Sequence, residues 1–315
     1  MNSNTLKQEI IFHERPISEV KFNSDGDYLI AASREGSISM IKKTAEILGS
    51  FEKERIAVNA ICTSKDKIFG AYSDASITTW DIFTGKQIAN VETESLVGSL
   101  FEDNNILYIL SGNAMNKTSY FGIYDLRTNK IQRVYEPSRT GTKGFFYNDL
   151  YVFGDNDGFI NQFDVRNNTL INEIKAHYSE VTSVTPSACR TFFSSSSSDA
   201  TVKIVDTVDF QTKKSFDCED PVKSSAIFPS NDKIITCGGT LAREVTKTRG
   251  KSTFDLNVFD IVTAQKIGFY SVHIGTINTV AISPNGTQSV SGSEDGHIVL
   301  LTFGEDFFSA PFTKF

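Results

Sequence analysis

Hydrophobic and polar positions alternate along most of this chain in short runs closed by turns. Ile17-Ser-Glu-Val-Lys-Phe22 is followed by the turn Asn23-Ser-Asp-Gly26 and then by Tyr28-Leu-Ile-Ala-Ala-Ser33. Ile277-Asn-Thr-Val-Ala-Ile282, Ser283-Pro-Asn-Gly286 and Gln288-Ser-Val-Ser-Gly292 repeat the arrangement near the other end. A period of two marks strands with one face buried, and Asp-Gly or Asn-Gly between two such runs predicts a hairpin. Sustained helical periodicity occurs nowhere. The serine run Ser194 to Ser198 falls between Phe193 and Asp199 and predicts a strand end entering a tight turn.

The strands belong to a longer repeat. Glu35-Gly-Ser-Ile-Ser-Met-Ile41, Asp74-Ala-Ser-Ile-Thr-Thr-Trp80-Asp81, Asp157-Gly-Phe-Ile-Asn-Gln-Phe163-Asp164, Asp199-Ala-Thr-Val-Lys-Ile-Val205-Asp206 and Asp295-Gly-His-Ile-Val-Leu-Leu301 share one pattern. An acidic residue, a small residue and a strand lead to a large apolar residue six positions on. Two further copies keep only their ends, at Tyr124-Asp125 and Phe259-Asp260. The ends at Asp81, Asp125, Asp164, Asp206 and Asp260 are 44, 39, 42 and 54 residues apart. The long step contains an insertion over Gly238 to Ser252, and a smaller one covers Gly112 to Thr118. Seven copies of this length fill residues 1–315 as one all-β, seven-bladed β-propeller.

A histidine precedes the acidic residue by 22 positions in three copies: His13 with Glu35, His177 with Asp199, and His273 with Asp295. This resembles the WD-repeat blade, whose acidic residue sits in the turn between the second and third strands and accepts hydrogen bonds from turn amides and from that histidine. The three pairs are therefore expected to hold turns. The last copy supplies three strands, ending near Phe303, while Lys7 to Phe12 stands where a preceding blade's outer strand would lie. The N-terminal strand is thus expected to complete blade seven and close the ring.

Composition narrows the function. A net charge of -7 argues against a surface built for phosphate backbones, so direct specific nucleic-acid binding is not expected. Cys62, Cys189, Cys218 and Cys237 lie far apart, which fits neither a zinc site nor a disulfide framework. The sequons at Asn116 and Asn285 carry little weight without a secretory leader, and no apolar run is long enough to span a bilayer. A cytoplasmic protein without membrane contact is expected. No phosphate-binding loop, dinucleotide fingerprint, zinc-protease helix or nucleophile elbow occurs. The fourth histidine, His297, stands outside the repeated position. Neither catalytic, cofactor-binding nor metal-binding residues are expected, and a propeller without chemistry is a docking surface.

Several segments are more specific. His13-Glu14-Arg15 with Gly26-Asp27-Tyr28-Leu29, Thr84-Gly85-Lys86-Gln87, and Phe121 to Arg127 resemble the early blades of the i subunit of eukaryotic translation initiation factor three. Pro221-Val-Lys-Ser-Ser-Ala226, Gly238-Gly239 followed by Ala242, Val245, Thr246 and Thr248, and His273 to Ala281 with Gly292 to Gly296 resemble its later ones. Cys237 and Thr240-Leu241 depart from the family's insertion, blade four is short, and Phe307 to Phe315 replaces an acidic tail, so the chain is similar to a divergent, compact member.

The resemblance implies a non-enzymatic scaffold that docks the b and g subunits and supports pre-initiation complex assembly on the small ribosomal subunit. A generic WD-repeat adaptor, serving a ubiquitin ligase or the ribosome, is the alternative, and the blade-six insertion favours the initiation factor. Asp206, Asp209, Asp217, Glu219 and Asp220 gather between blades five and six in the sequence. Asp206 and Glu219 stand where family members often carry acidic residues. Asp206, Glu219 and Asp220 are therefore the expected partner-binding residues, against the competing reading of a solvated acidic loop.

Overall fold

The computed structural model describes residues 5–112, 118–240 and 253–309. Its strands form seven four-stranded antiparallel sheets. The chain enters with β1 (Leu6–Ile11). Blade one is β2 (Ile17–Phe22), β3 (Tyr28–Ser33), β4 (Ser37–Lys42) and β5 (Ile47–Glu52). Blade two is β6 (Val58–Thr63), β7 (Lys67–Tyr72), β8 (Ser76–Asp81) and β9 (Gln87–Glu92). Blade three is β10 (Val97–Asp103), β11 (Ile106–Ser111), β12 (Phe121–Asp125) and β13 (Lys130–Tyr135). Blade four is β14 (Gly141–Tyr147), β15 (Leu150–Asp155), β16 (Phe159–Asp164) and β17 (Thr169–Lys175), a full set despite its short sequence. Blade five is β18 (Val181–Pro186), β19 (Phe192–Ser197), β20 (Thr201–Asp206) and β21 (Thr212–Asp217). Blade six is β22 (Val222–Ile227), β23 (Lys233–Gly238), β24 (Asp255–Asp260) and β25 (Lys266–Ser271). Blade seven has β26 (Ile277–Ile282), β27 (Gln288–Ser293) and β28 (His297–Thr302), and its outer strand is β1.

The first strand therefore closes the ring as expected. It pairs antiparallel with β28 from Leu6 opposite Thr302 to Ile11 opposite His297. Ile10 packs with Ile17, Leu29, Val290 and Leu300, so closure buries apolar surface as well as an edge. The innermost strands contact one another in the order β2, β6, β10, β14, β18, β22, β26 and back to β2. The apolar clusters lie between adjacent blades. Ile77 and Leu107 share one between blades two and three, and Val184, Phe193 and Phe145 share another between blades four and five.

Phenylalanine, at 25 residues, is used to fill these clusters. Tyr108 and Phe146 stack with centroids 4.1 Å apart between blades three and four, beside Phe121 against Tyr151 at 4.5 Å. Gly144 makes room for this layer, since a Cβ there would sit 2.9 Å from the Tyr151 ring and 2.6 Å from the Val152 carbonyl. The joint between blades five and six is polar. Ser194 and Ser196 are buried and meet the Ser225 hydroxyl at 3.0 and 2.7 Å.

No helical periodicity marks this part of the chain, but a short helix, α1 (Glu305–Ser309), follows β28. Phe307 draws it down: its ring lies 4.4 Å from Phe303 and 5.4 Å from Phe228. Packing of one aromatic side chain, not periodicity, sets this element. Residues 113–117, with Asn116, and residues 241–252, with Ala242, Val245, Thr246 and Thr248, lie outside the described residues, as do 310–315.

Candidate functional site

Antiparallel order gives the disc two faces. The upper one carries the turns between second and third strands and the links between blades; the lower one carries the remaining turns.

The three histidines stand on the upper face, buried beneath it. His177 Nδ1 lies 3.2 Å from Asp199 Oδ2 and 2.9 Å from Thr201 Oγ1, while its Nε2 meets Ser195 Oγ at 2.8 Å. Asp199 also accepts the Tyr178 and Thr201 backbone N–H at 2.9 and 3.0 Å, which ties the incoming loop to the turn. His13 repeats the arrangement with Glu35 Oε1 at 2.6 Å and Ser39 Oγ at 2.9 Å, and Glu14 N–H donates to Glu35. His273 keeps Ser291 Oγ at 2.8 Å and lies 3.4 Å from Asp295. Asp295 accepts the His297 N–H at 2.9 Å.

Burial lowers the His177 pKa against the pull of Asp199. Burial pushes Asp295 up, but bonds from His273 and from backbone amides outweigh it and hold the carboxyl at about 2. Every polar atom of the His177 group is thus engaged in joining a loop, a turn and a strand. Three serines complete these groups without any sign in the repeat: Ser195 and Ser291 on the second strand, four residues before the acid, and Ser39 on the third strand, four after it. The small residue after the acid has a reason too. Gly36, Ala75, Gly158, Ala200 and Gly296 all have φ between 59° and 105°, the left-handed region that penalises larger side chains.

Two of the blades lacking the histidine, blades two and four, use other cations. Lys53 Nζ lies 2.9 Å from Asp74 in blade two. In blade four the acid is not the expected Asp157. Asp155, two residues earlier and buried, accepts the Asp157 and Phe159 N–H at 3.0 and 2.9 Å and pairs with Arg139 at 2.7 Å. Arg139 lies over the Phe159 ring, 3.9 Å from its centroid. A guanidinium reaches further than an imidazole, so the acid it meets sits elsewhere in the turn.

The acidic residues of blades five and six separate. Asp206 is on the lower face, where its Oδ1 accepts the Val208 and Asp209 N–H at 2.8 and 3.1 Å; Asp209 pairs with Lys213. Asp217, Glu219 and Asp220 are on the upper face, at the other end of β21, and Thr201 faces Asp217 across the pair. The expected single cluster is therefore two groups, a strand's length apart, because Asp206 precedes β21 and the others follow it. Glu219 lies 3.6 Å from Lys266, and Glu219 and Asp220 line a small cleft with Pro221, Cys237, Gly238 and Asp255. Beside Asp206 the lower face carries Val208 and Val262, 87% and 69% exposed, joined across the blades by Lys214 Nζ donating to the Val262 carbonyl at 2.8 Å.

Among the described residues, no group of three or more His, Cys, Asp or Glu is arranged to hold a metal ion, and no helix is long and apolar enough to cross a membrane. All four cysteines are free.

A model of the "WD domain, G-beta repeat" family matches residues 4–42, 168–206 and 264–300. Each matched stretch contains one of the three repeated histidines, His13, His177 and His273, and runs through the turn its acid holds. Along nearly its whole length the chain is similar to proteins named eukaryotic translation initiation factor 3 subunit I. The one from Xenopus tropicalis is 29% identical over 315 residues, covering 95% of this chain and 97% of the relative. That of Kluyveromyces lactis is 28% identical over 94% of this chain and 91% of the relative. The Homo sapiens protein is 27% identical over 95% and 97%. The chain is thus a seven-bladed propeller closed by its own first strand, with WD repeats in three of its stretches, and is similar over nearly its whole length to eukaryotic translation initiation factor 3 subunit I.

Proposed function

We propose that this protein is a non-enzymatic scaffold of the initiation factor three complex, working in the cytoplasm. It docks the b and g subunits and supports pre-initiation complex assembly on the small ribosomal subunit. The observation that carries this reading is similarity to subunits I over about the full length of both chains, in a propeller whose repeated histidines and acids are engaged in turns. A rigid disc of short strands suits a partner that lies across it as a helix or extended segment.

The docking site proposed for the b subunit is the outer side of blades five and six. Asp206, Val208 and Val262 offer a carboxylate beside apolar anchors on the lower face, and Glu219 and Asp220 offer carboxylates on the upper one. A segment reaching both must run along β21, about 20 Å at roughly 3.3 Å per residue. It should carry Lys or Arg at its two ends and an apolar residue near Val208. Asp206 also holds a turn, so Asp206→Asn, which keeps an acceptor and removes the charge, is paired with Glu219→Lys. Titration calorimetry with the C-terminal part of the b subunit should show binding weakened about tenfold or more, mainly through faster dissociation, with an unchanged circular dichroism spectrum. Unaltered affinity in the folded double variant would place the b subunit elsewhere on the disc.

A further inference from the structure

We propose that the cleft of blade six is a seat for an ammonium group, delivered by a lysine side chain of a partner segment. An equivalent seat is filled in other blades. His13, His177 and His273 each stand two residues beyond the end of an outer strand, at Ile11, Lys175 and Ser271. Ser37 and Ser39, first and third on β4, meet the two His13 nitrogens at 3.1 and 2.9 Å, and Thr201, first on β20, meets His177. Ser76, first on β8, accepts from Lys53 in blade two. The first and third positions of β24 are Asp255 and Asn257. Glu219 stands two residues beyond Asp217, in the histidine's place, but it is 74% exposed and pairs with Lys266. Among the described residues no histidine, lysine or arginine lines the cleft.

What remains in blade six is a set of acceptors. The Asn257 Oδ1 atom is buried and makes no hydrogen bond. Asp255 is buried too, and its Oδ1 accepts the Ser271 hydroxyl at 2.6 Å. Burial pushes the Cys218 thiol on the same lining up to about 11, so it stays uncharged. A buried acceptor without a donor is costly, and a ligand that brings the donor recovers that cost. The cleft measures about 20 Å³, room for one water-sized group. An ammonium is that size and brings three donors and a positive charge, whereas a guanidinium is a broader planar fork. Glu219 and Thr253, both exposed, stand on the lining, so the cleft is reached from solvent. The seat stands on these contacts. Only the supplier of the lysine rests on the docking reading above, in which the b segment brings a basic residue to Glu219 and Asp220.

The test follows the Gly238 and Gly239 backbone amides of the full chain by nuclear magnetic resonance as n-butylammonium chloride, which carries the end of a lysine side chain, is added at constant ionic strength. Saturable shifts at about one ligand per chain are expected, with binding at least about tenfold weaker in Asn257→Leu, which removes the acceptor. Asn257→Asp, which adds a negative charge, should bind more tightly than the parent and decides the matter where the leucine variant fails to fold. n-Butanol, alike in length but uncharged, should give no saturable shift. No saturation with the parent, equal binding by the folded leucine variant, no gain in the aspartate variant, or the same response to n-butanol would overturn the seat. The C-terminal part of the b subunit, titrated in parallel, separates the two readings: binding of butylammonium without binding of that segment overturns the docking reading and upholds the seat.

Discussion

The strongest consequences at the residue scale come from carboxylates that hold turns. Asp199 accepts from two backbone amides, the Thr201 hydroxyl and His177. Asp199→Ala strips all four donors of their acceptor and should cost about 1–3 kcal/mol in urea unfolding; an unchanged midpoint would deny the pair its structural role. Acid acts through the same groups in two steps. The His177 pKa is lowered by burial, so the unfolded chain takes up its proton first and stability falls as pH drops below the ordinary histidine value of about 6.5. Asp295 is depressed from 3.8 to about 2, so its contribution is complete above about 4 and is lost as pH falls toward 2. Thermal midpoints measured from pH 7 to 2 should fall in those two windows, and His177→Gln should remove much of the upper one. Ala200 stands at φ 63°, where glycine rests without strain. Ala200→Gly should therefore raise stability by a few tenths to about 1 kcal/mol, against the usual cost of that change. The constant spacing made the histidine pairs legible in the sequence. The serines beneath them were not, because Ser39 reaches its histidine from a different strand than Ser195 and Ser291 do.

Strands were readable one by one because each is a short run closed by a turn made for its end, even though second strands such as β3 and β19 are buried nearly throughout rather than alternating. Blade identity followed from the period. Polar contacts between blades were not readable, since they join residues far apart in the chain. Thr142, Thr182 and Asn278, each second on an innermost strand, donate to the Val181, Val222 and Ile17 carbonyls, each first on the next blade's innermost strand. Glu19, Ser99 and Thr279, third on theirs, accept the Ile61, Gly144 and Val20 N–H. These residues have different side chains at equivalent places, so repetition hides them. The acidic group of blades five and six misled for the opposite reason: neighbours in sequence were taken for neighbours in space, and β21 lies between them. Of all elements, β1 has the clearest prediction. Removing residues 1–12 uncovers β28 and deletes Ile10 from its cluster. The truncated chain should elute as oligomers or aggregates in size-exclusion chromatography with light scattering; a stable monomer would show that three strands suffice for blade seven.

A ring in which every blade buries its faces against two neighbours should unfold as a unit. Trp80, the one tryptophan, is buried in blade two and reports from there, whereas far-ultraviolet circular dichroism reports from all blades. The two signals should share one denaturation midpoint, and a separation would mean that blades melt in groups. The seal between β1 and β28 joins residues as far apart as Glu9 and His297, whose side chains meet at 2.7 Å. That seal has a consequence in time. A chain leaving the ribosome exposes β1 well before its mate β28, so the strand waits through some 290 further residues, roughly 15–60 s at about 5–20 residues per second. Throughout synthesis the nascent disc is open, with an unclaimed edge strand at its leading end. Whatever shields that strand, or delays its pairing with a foreign one, governs how much of each round of synthesis ends in a closed molecule.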